Sequence, residues 1–253
     1  MTPVARSRDG ERPATPRLPY DSPMQIGRTG RTARRIATGI YRRINRNSTV
    51  GLPWRQEGDF VTFEWDGFVD APSIPALFAR HHYETARIRE LLADKNVQRS
   101  LEFGCGYGRL SPTIASLSTQ HTAIDINAEA VAAARVAHPD LDFRLSSGSK
   151  MAFPDNTFDL VVTWTVLQHV RPERIGGVLS ELRRVLAAEG NLLLCEETRD
   201  PGAEMRHCWH REPSFYADRF TPLRLTHSSY IEEIDRIPGM TSPGRVMLFE
   251  SRS

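Results

Sequence analysis

Residues 101–110 read LEFGCGYGRL, in which an acid, Glu102, is followed by glycines at positions 104, 106 and 108. Glycine is used where φ must be positive or where a ligand lies against bare backbone, so this spacing predicts a loop shaped around a ligand. A short apolar run that ends at Phe103 precedes the loop and predicts a buried strand. The loop is therefore expected at the carboxyl end of a strand.

Downstream of Val97 the chain alternates between short apolar runs and helical patterns, which is typical of βαβ units and a parallel sheet. Two later stretches, LRLTHSSYIEEI and GRVMLFES, predict two more strands. Right-handed crossovers place all the strand-end loops at one edge of the sheet. The apolar runs span 98–103, 121–125, 141–145, 159–164 and 191–195, and the helical patterns span 110–118, 128–138 and 172–187.

The length of 253 residues suits one α/β domain with extensions. No apolar run approaches the roughly 18 residues of a membrane helix, and the N-terminus lacks the apolar core of a secretory signal. Cys105, Cys195 and Cys208 are widely spaced and form no CxxC pair, which argues against a disulfide framework or a zinc cluster. We therefore expect a reducing, cytoplasmic compartment.

The N-terminal part is strongly basic. Residues 1–47 contain 11 arginines and 3 acids, whereas the whole chain has a net charge of only +2. Residues 1–30, rich in Pro, Gly, Arg and Ser, predict a disordered basic arm. Residues 31–95 predict a helical extension that caps the domain, with an amphipathic helix in RTARRIATGIYRRINR and a second helix from about Ser73 to Ala93. A short hairpin is expected around DFVTFEW.

The basic helix has three interpretations. It can pack on the body with a solvated arginine face, or it can dock on nucleic acid or a membrane surface. An Arg-rich organelle-targeting peptide is a third interpretation. It fits poorly, because Asp9, Glu11 and several prolines precede the helix in the N-terminal part of the chain. We expect the first of these.

The glycine spacing discriminates between nucleotide-binding loops. A dinucleotide fold requires GxGxxG, whereas this loop is GxGxG, and no GK[ST] follows it as a P-loop requires. The second strand ends in Asp125, whose carboxylate can accept hydrogen bonds from both hydroxyls of a ribose. Alternatively, Asp125 caps the helix that begins near Ala128.

Three ordered motifs, EFGCGYGRL, AIDIN and MAFPDNTFDLVVTWTVLQHV, resemble class I S-adenosylmethionine-dependent methyltransferases, particularly the small-molecule group called type 11. The resemblance covers about residues 97–197. It implies an α/β, Rossmann-like fold in residues 96–253, with a seven-stranded, mostly parallel sheet, helices on both faces and a reversed late strand. It also implies S-adenosyl-L-methionine as the cofactor.

The resemblance assigns residues to the cofactor. Glu102 acts near the methionine amino group, Asp125 corresponds to the ribose acid, and Ile126 lies beside the adenine. Where many members carry an aspartate for the adenine amine, this chain has Ser147, so backbone from Ser147 to Met151 is the remaining candidate. The implied cofactor-binding set is Glu102, Gly104, Cys105, Gly106, Gly108, Asp125, Ile126, Ser147, Gly148, Met151, Thr163 and Gln168.

Histidines are the candidates for catalysis. His169 follows the fourth strand, where the family faces the acceptor, and MRHCWHREPSFYADRF resembles the variable insert that folds over it, with His207, Trp209, His210 and Tyr216. We expect His169, His207, Trp209 and His210 to converge near the transferred methyl group. A base is required only if the acceptor must lose a proton. His169 can instead be structural, and no metal site is expected because HxxH lacks a third ligand.

The expected function is methyl transfer to an oxygen or nitrogen of a small molecule. Alternatives are an RNA or protein methyltransferase that docks through the arginine arm, and a cofactor-binding partner subunit without transfer activity. An NAD-dependent oxidoreductase ranks last because of the glycine spacing. The sequence predicts no oligomeric state.

Overall fold

The computed structural model describes residues 54–57, 60–63, 74–199, 208–238 and 240–251, with side chains from Phe78 onward. The predicted arm at 1–30, the basic helix at 31–46 and His207 lie outside the described residues. The strands are β1 (Trp54–Glu57), β2 (Phe60–Phe63), β3 (Val97–Phe103), β4 (Ser118–Asp125), β5 (Asp142–Leu145), β6 (Phe158–Trp164), β7 (Leu186–Glu196), β8 (Arg224–Ser229) and β9 (Arg245–Glu250). The helices are α1 (Ile74–Leu92), α2 (Ser111–Ala115), α3 (Ala128–Ala137), α4 (Pro172–Val185), α5 (Pro213–Arg219) and α6 (Glu232–Asp235).

The main sheet has seven strands in the order β5-β4-β3-β6-β7-β9-β8. The ladders among β5, β4, β3, β6 and β7 are parallel, whereas β9 is antiparallel to both β7 and β8. The predicted seven-stranded sheet with one reversed late strand is therefore confirmed. The carboxyl ends of β3, β4, β6 and β7 meet at one edge, which we call the ligand edge.

Helices cover both faces of the sheet. Alternate side chains of β6 and β7 enter opposite apolar clusters: Val161 and Leu194 lie in one, and Leu160, Val162 and Leu193 in the other. The first cluster is closed by α4 and α5, and the second by α1, α2 and α6. Strands that are buried on both faces have continuous apolar sequences, and this is why these strands could be predicted from the sequence.

Element bounds differ from the predictions at three places. The hairpin pairs Trp54–Glu57 with Phe60–Phe63, so it lies earlier than DFVTFEW suggested. β7 begins at Leu186, directly after α4, because Phe158 already pairs with Leu186 ahead of an irregularity in the ladder. LRLTHSSYIEEI is a strand only to Ser229 and continues into α6. In the part of the chain that is described, no helix is long and apolar enough to cross a membrane.

A buried carboxylate joins α1 to the ligand edge. Glu84 is fully buried and accepts hydrogen bonds from Trp164 Nε1, at the end of β6, over 3.0 Å and from Arg80 over 2.9 Å. It also pairs with Arg109, which directly follows the glycine loop. Burial acts to raise the pKa of Glu84, but Arg109 and Arg80 outweigh it and hold the pKa below its ordinary 4.5.

Replacing Glu84 with glutamine should weaken this attachment. We expect Glu84→Gln to lower the free energy of unfolding near pH 7 by about 1.5–3 kcal/mol, the range for hydrogen bonds to a charged group. The contribution is complete above the ordinary pKa of 4.5 and is lost as the pH falls through the lower pKa of the folded state, so the two proteins should converge in acid.

Urea unfolding of both proteins near neutral pH and in mild acid measures this difference. Glu90→Gln, an exposed acid on the same helix, is the control and should change stability little. A Glu84→Gln variant as stable as the wild type at neutral pH would contradict the role of Glu84.

Candidate functional site: the glycine loop and the ends of four strands

The loop after β3 is anchored to the end of β4 by three consecutive amides. Gly104 N and Cys105 N both donate to the Ile124 carbonyl, over 2.8 and 3.0 Å, and Gly106 N donates to Asp125 Oδ2 over 2.7 Å. Gly104, Gly106 and Gly108 have φ values of +80°, +52° and +77°, a region that favours glycine. The loop is thus a fixed turn whose shape depends on glycine.

The three glycines of the loop differ in the space that each leaves for a side chain. A Cβ on Gly104 would lie 2.4 Å from Val166 Cγ2, and one on Gly108 would lie 3.0 Å from the Phe143 ring. A Cβ on Gly106 would meet nothing within 4 Å. Gly104 and Gly108 are therefore required by packing, whereas the open space at Gly106 is available to a ligand.

Asp125 is held in place but does not cap α3. Its Oδ2 accepts from Gly106 N, its Oδ1 accepts from Asn127 N over 2.8 Å, and the cap is Asn127, whose side chain accepts from the amides of Glu129 and Ala130. The capping alternative for Asp125 is therefore wrong. Burial raises the pKa of Asp125, while the amides of Asn127 and Gly106 act against that rise.

The segment that follows β5 runs beside Asp125. Ser146 N donates to the Asp125 carbonyl over 2.9 Å, Ser147 is exposed, and Gly148 is buried with φ +70°. The Ser146 contact therefore places the segment 146–148 beside the end of β4.

Two members of the predicted cofactor set have their side chains in the core. The Cys105 side chain packs with α3, and burial raises the pKa of its thiol. Met151 is 3% exposed, and its amide donates to Glu181 Oε2 over 2.8 Å. Cys105 could reach a ligand only through its backbone, and the Met151 amide is already engaged.

A second buried carboxylate organises the turn after β6. Glu196, at the end of β7, accepts from Thr163 Oγ1 over 2.7 Å and from the amides of Val166 and Gln168, each over 3.1 Å. Burial raises the pKa of the Glu196 carboxyl to about 7, even though the surrounding hydrogen-bond donors act to lower it. Thr163 is fully buried, so its hydroxyl supports the turn through Glu196.

Gln168 ties the same turn to the next strand. Its side-chain oxygen accepts from Glu197 N over 2.7 Å, and its carbonyl accepts from Trp209 N over 2.8 Å. Thr165 has φ +59°, an uncommon conformation for a β-branched residue that marks local strain. The turn at 165–169 is therefore held by side chains from β7 and by the insert.

The insert contacts the turn that carries His169 through its backbone and Arg211, and the convergence of the histidines there stays a prediction. Arg211 is 7% exposed and donates to the carbonyls of Leu167 and Val170 over 2.8 and 2.6 Å. With the Trp209 amide, it fixes residues 208–211 against the turn that carries His169. His169 is half-buried and His210 is exposed, whereas Tyr216 is fully buried in the core and does not face an acceptor.

Three residues that position the site were not predicted from the sequence: Glu84, Glu196 and Arg211. Glu196 could have been predicted, because the sequence CEE comes at the end of an apolar strand and so places an acid at the ligand edge. Glu84 and Arg211 were not predicted, because the contacts that join them to the site are with residues 25 to 80 positions away in sequence.

Comparison with known proteins finds a match over the part of the chain that carries the glycine loop and the ends of β3, β4 and β6. Residues 101–194 match the family model described as "Methyltransferase domain". The chain carries a class I S-adenosylmethionine-dependent methyltransferase domain. S-adenosylmethionine is the cofactor of this family, as the resemblance implied.

Two relatives match about half of the chain. A ubiquinone biosynthesis O-methyltransferase of Xanthomonas oryzae pv. oryzae is 34% identical over 148 residues, covering 55% of this chain and 58% of that protein. A demethylmenaquinone methyltransferase of Beutenbergia cavernae is 30% identical over 139 residues, 54% of this chain and 55% of that one. The chain thus matches about half the length of these relatives.

The fold is shared with distant structures. The N-methyltransferase NodS from Bradyrhizobium japonicum, in complex with S-adenosylhomocysteine, is 19% identical with a TM-score of 0.57, covering 72% of this chain and 90% of that one. A phosphoethanolamine N-methyltransferase of Haemonchus contortus is 14% identical with a TM-score of 0.60, covering 74% and 47%.

Gly106 offers the sharpest test of where the methyltransferase domain binds its cofactor. Gly106→Val should fold, with a strain cost of about 1–2 kcal/mol for a side chain at positive φ, yet it should weaken S-adenosylhomocysteine binding by roughly 100-fold or more because the side chain fills the open space. Calorimetric titration measures binding, and thermal unfolding confirms the fold. Gly176→Val, at another glycine whose Cβ would meet nothing within 4 Å, is the control. Undiminished binding in a folded Gly106→Val variant would contradict this site.

Proposed function

We propose that this protein transfers the methyl group of S-adenosylmethionine to an oxygen or nitrogen of a small-molecule acceptor. The observation that carries the proposal is the anchored GxGxG loop beside Asp125, with open space at Gly106. A ligand of adenosine type requires both parts: bare backbone that it can approach closely, and a fixed carboxylate at the end of the second parallel strand.

The residues present fit the cofactor. The Asp125 carboxylate is oriented by two amides, which leaves its remaining lone pairs for the hydroxyls of a ribose. Glu102 is 4% exposed and supplies a carboxylate beneath the loop for the cofactor's ammonium group. We expect the adenine to lie against Ile126, which follows Asp125, and against Ser147 and Gly148, which follow the amide bonded to the Asp125 carbonyl.

The bound cofactor supplies an electrophilic methyl group on a sulfonium sulfur. The protein's task is to hold the acceptor in line with that group and to exclude water, since loss of positive charge is favoured in an apolar surrounding. The turn at 165–169 and residues 208–211 close the ligand edge over β6 and β7. We place the acceptor against this closure.

The names of the matching relatives and structures favour a small-molecule acceptor. The relatives are named for O-methylation in ubiquinone biosynthesis and for demethylmenaquinone, and the two structures for N-methylation. Three of these names state the acceptor atom, which is oxygen in one and nitrogen in two.

Asp125 tests the proposed binding mode. Asp125→Ala should weaken S-adenosylhomocysteine binding by about 1.5–3 kcal/mol, the range for hydrogen bonds to a charged group. Calorimetry on the full chain measures the loss, and Asp140→Ala, an exposed acid after α3, is the control. Equal binding by the wild type and Asp125→Ala would contradict the ribose role.

His169 tests the chemistry. We assign His169 as the base for acceptors that must lose a proton, since it lies on the turn that the insert closes. His169→Gln should lower the rate of transfer from radiolabelled S-adenosylmethionine to phenolic acceptors by about 10²–10⁴-fold, with cofactor affinity nearly unchanged. His138→Gln, at the end of α3, is the control. Near-normal transfer by the His169 variant would show that the histidine is structural.

A further inference from the structure

A chain of polar side chains crosses the buried layer beneath the glycine loop. Ser100 and Glu102 are two residues apart on β3, so they point to the same face of the sheet, and His121 pairs with Ser100 on the neighbouring strand. Ser118 Oγ lies 2.7 Å from Ser100 Oγ, and Ser100 Oγ lies 2.8 Å from His121 Nδ1. At the other end, Ser111 donates to Glu102.

The second nitrogen of His121 is the unusual atom in this chain. The His121 side chain is 3% exposed, and Nε2 has no hydrogen-bond partner. It lies 3.7 Å from Glu102 Oε2, just beyond hydrogen-bond distance. A buried polar atom without a partner is costly, so an imidazole that faces a carboxylate without bonding it indicates a contact completed in another state.

The neighbouring groups determine which nitrogen carries hydrogen. A carboxylate close to Nε2 favours a hydrogen on that nitrogen. Ser100 can then donate to Nδ1 while it accepts from Ser118. The whole chain thereby directs an N–H toward Glu102.

We propose that His121 is a positioning residue for Glu102, and that it orients the carboxylate to receive the ammonium group of the cofactor's methionine part. This inference rests on the proposed function. When the ammonium group approaches from the loop side, the His121 N–H closes on Oε2, which already accepts from Ser111, so that three donors hold Glu102. His121 touches neither the cofactor nor the acceptor.

The test compares two ligands that differ only at the amino-acid end. S-adenosylhomocysteine carries the ammonium and carboxylate groups, whereas methylthioadenosine keeps the adenine, ribose and sulfur and lacks both groups. His121→Leu should weaken S-adenosylhomocysteine binding by about tenfold, near the lower end for a hydrogen bond to a charged group. Methylthioadenosine binding should change by less than about twofold, because the ribose site at Asp125 is intact.

Three further variants make the test specific. His121→Gln restores an N–H at the same reach and should recover most of the affinity for S-adenosylhomocysteine. In a Glu102→Gln background, His121→Leu should have little additional effect, because the charged partner has already been removed. His227→Gln is the control, since His227 also contacts a serine, Ser229, but lies on β8 at the other edge of the sheet.

Each outcome distinguishes the two proposals. Selective loss of S-adenosylhomocysteine binding supports the positioning role. Equal weakening for both ligands, or no weakening, overturns it while leaving the proposed function intact. A wild-type protein that binds neither ligand overturns the proposed function itself. If His121→Leu does not fold, Ser100→Ala serves instead, because it removes the contact at Nδ1. A Ser100→Ala variant with an unchanged ratio of the two affinities overturns the proposal.

Discussion

The anchoring of the glycine loop to the end of β4 is the constraint on which the rest of the site depends. Three consecutive amides, from Gly104 to Gly106, donate to the carbonyl of Ile124 and the carboxylate of Asp125. This arrangement is possible only where β3 and β4 are adjacent and parallel, so that both strands end at the same edge. The loop and the proposed ribose acid are therefore positioned by one set of hydrogen bonds.

Buried carboxylates attach the surrounding elements to this edge. Glu84 fixes α1 to the residue after the loop, and Glu196 fixes the turn after β6, whose Val166 packs on Gly104. Glu102 and Asp125 lie at the carboxyl ends of β3 and β4. These two carboxylates are the ones proposed to meet the cofactor, Glu102 at its ammonium group and Asp125 at its ribose.

Some of these features were readable from sequence and others were not. The doubly covered strands were predicted because burial on both faces requires continuous apolar runs, and the loop was predicted because positive φ requires glycine. The sequence left open whether Asp125 caps α3. The structure decides this, because the N-cap of α3 is Asn127. Tyr216, expected near the acceptor, is in the core because α5 presents its aromatic face to the sheet. The contacts that join Glu84 and Arg211 to the site are with residues distant in sequence and follow no local spacing.

The central claim is that the cofactor lies between the glycine loop and the end of β4. Titration of isotope-labelled protein with S-adenosylhomocysteine, followed by amide NMR, locates the ligand without any substitution. The largest shifts are predicted for the amides of residues 104–108, 125–127 and 146–148, with β8 and β9 unaffected. Shifts concentrated elsewhere, with the loop amides unchanged at saturation, would contradict the account.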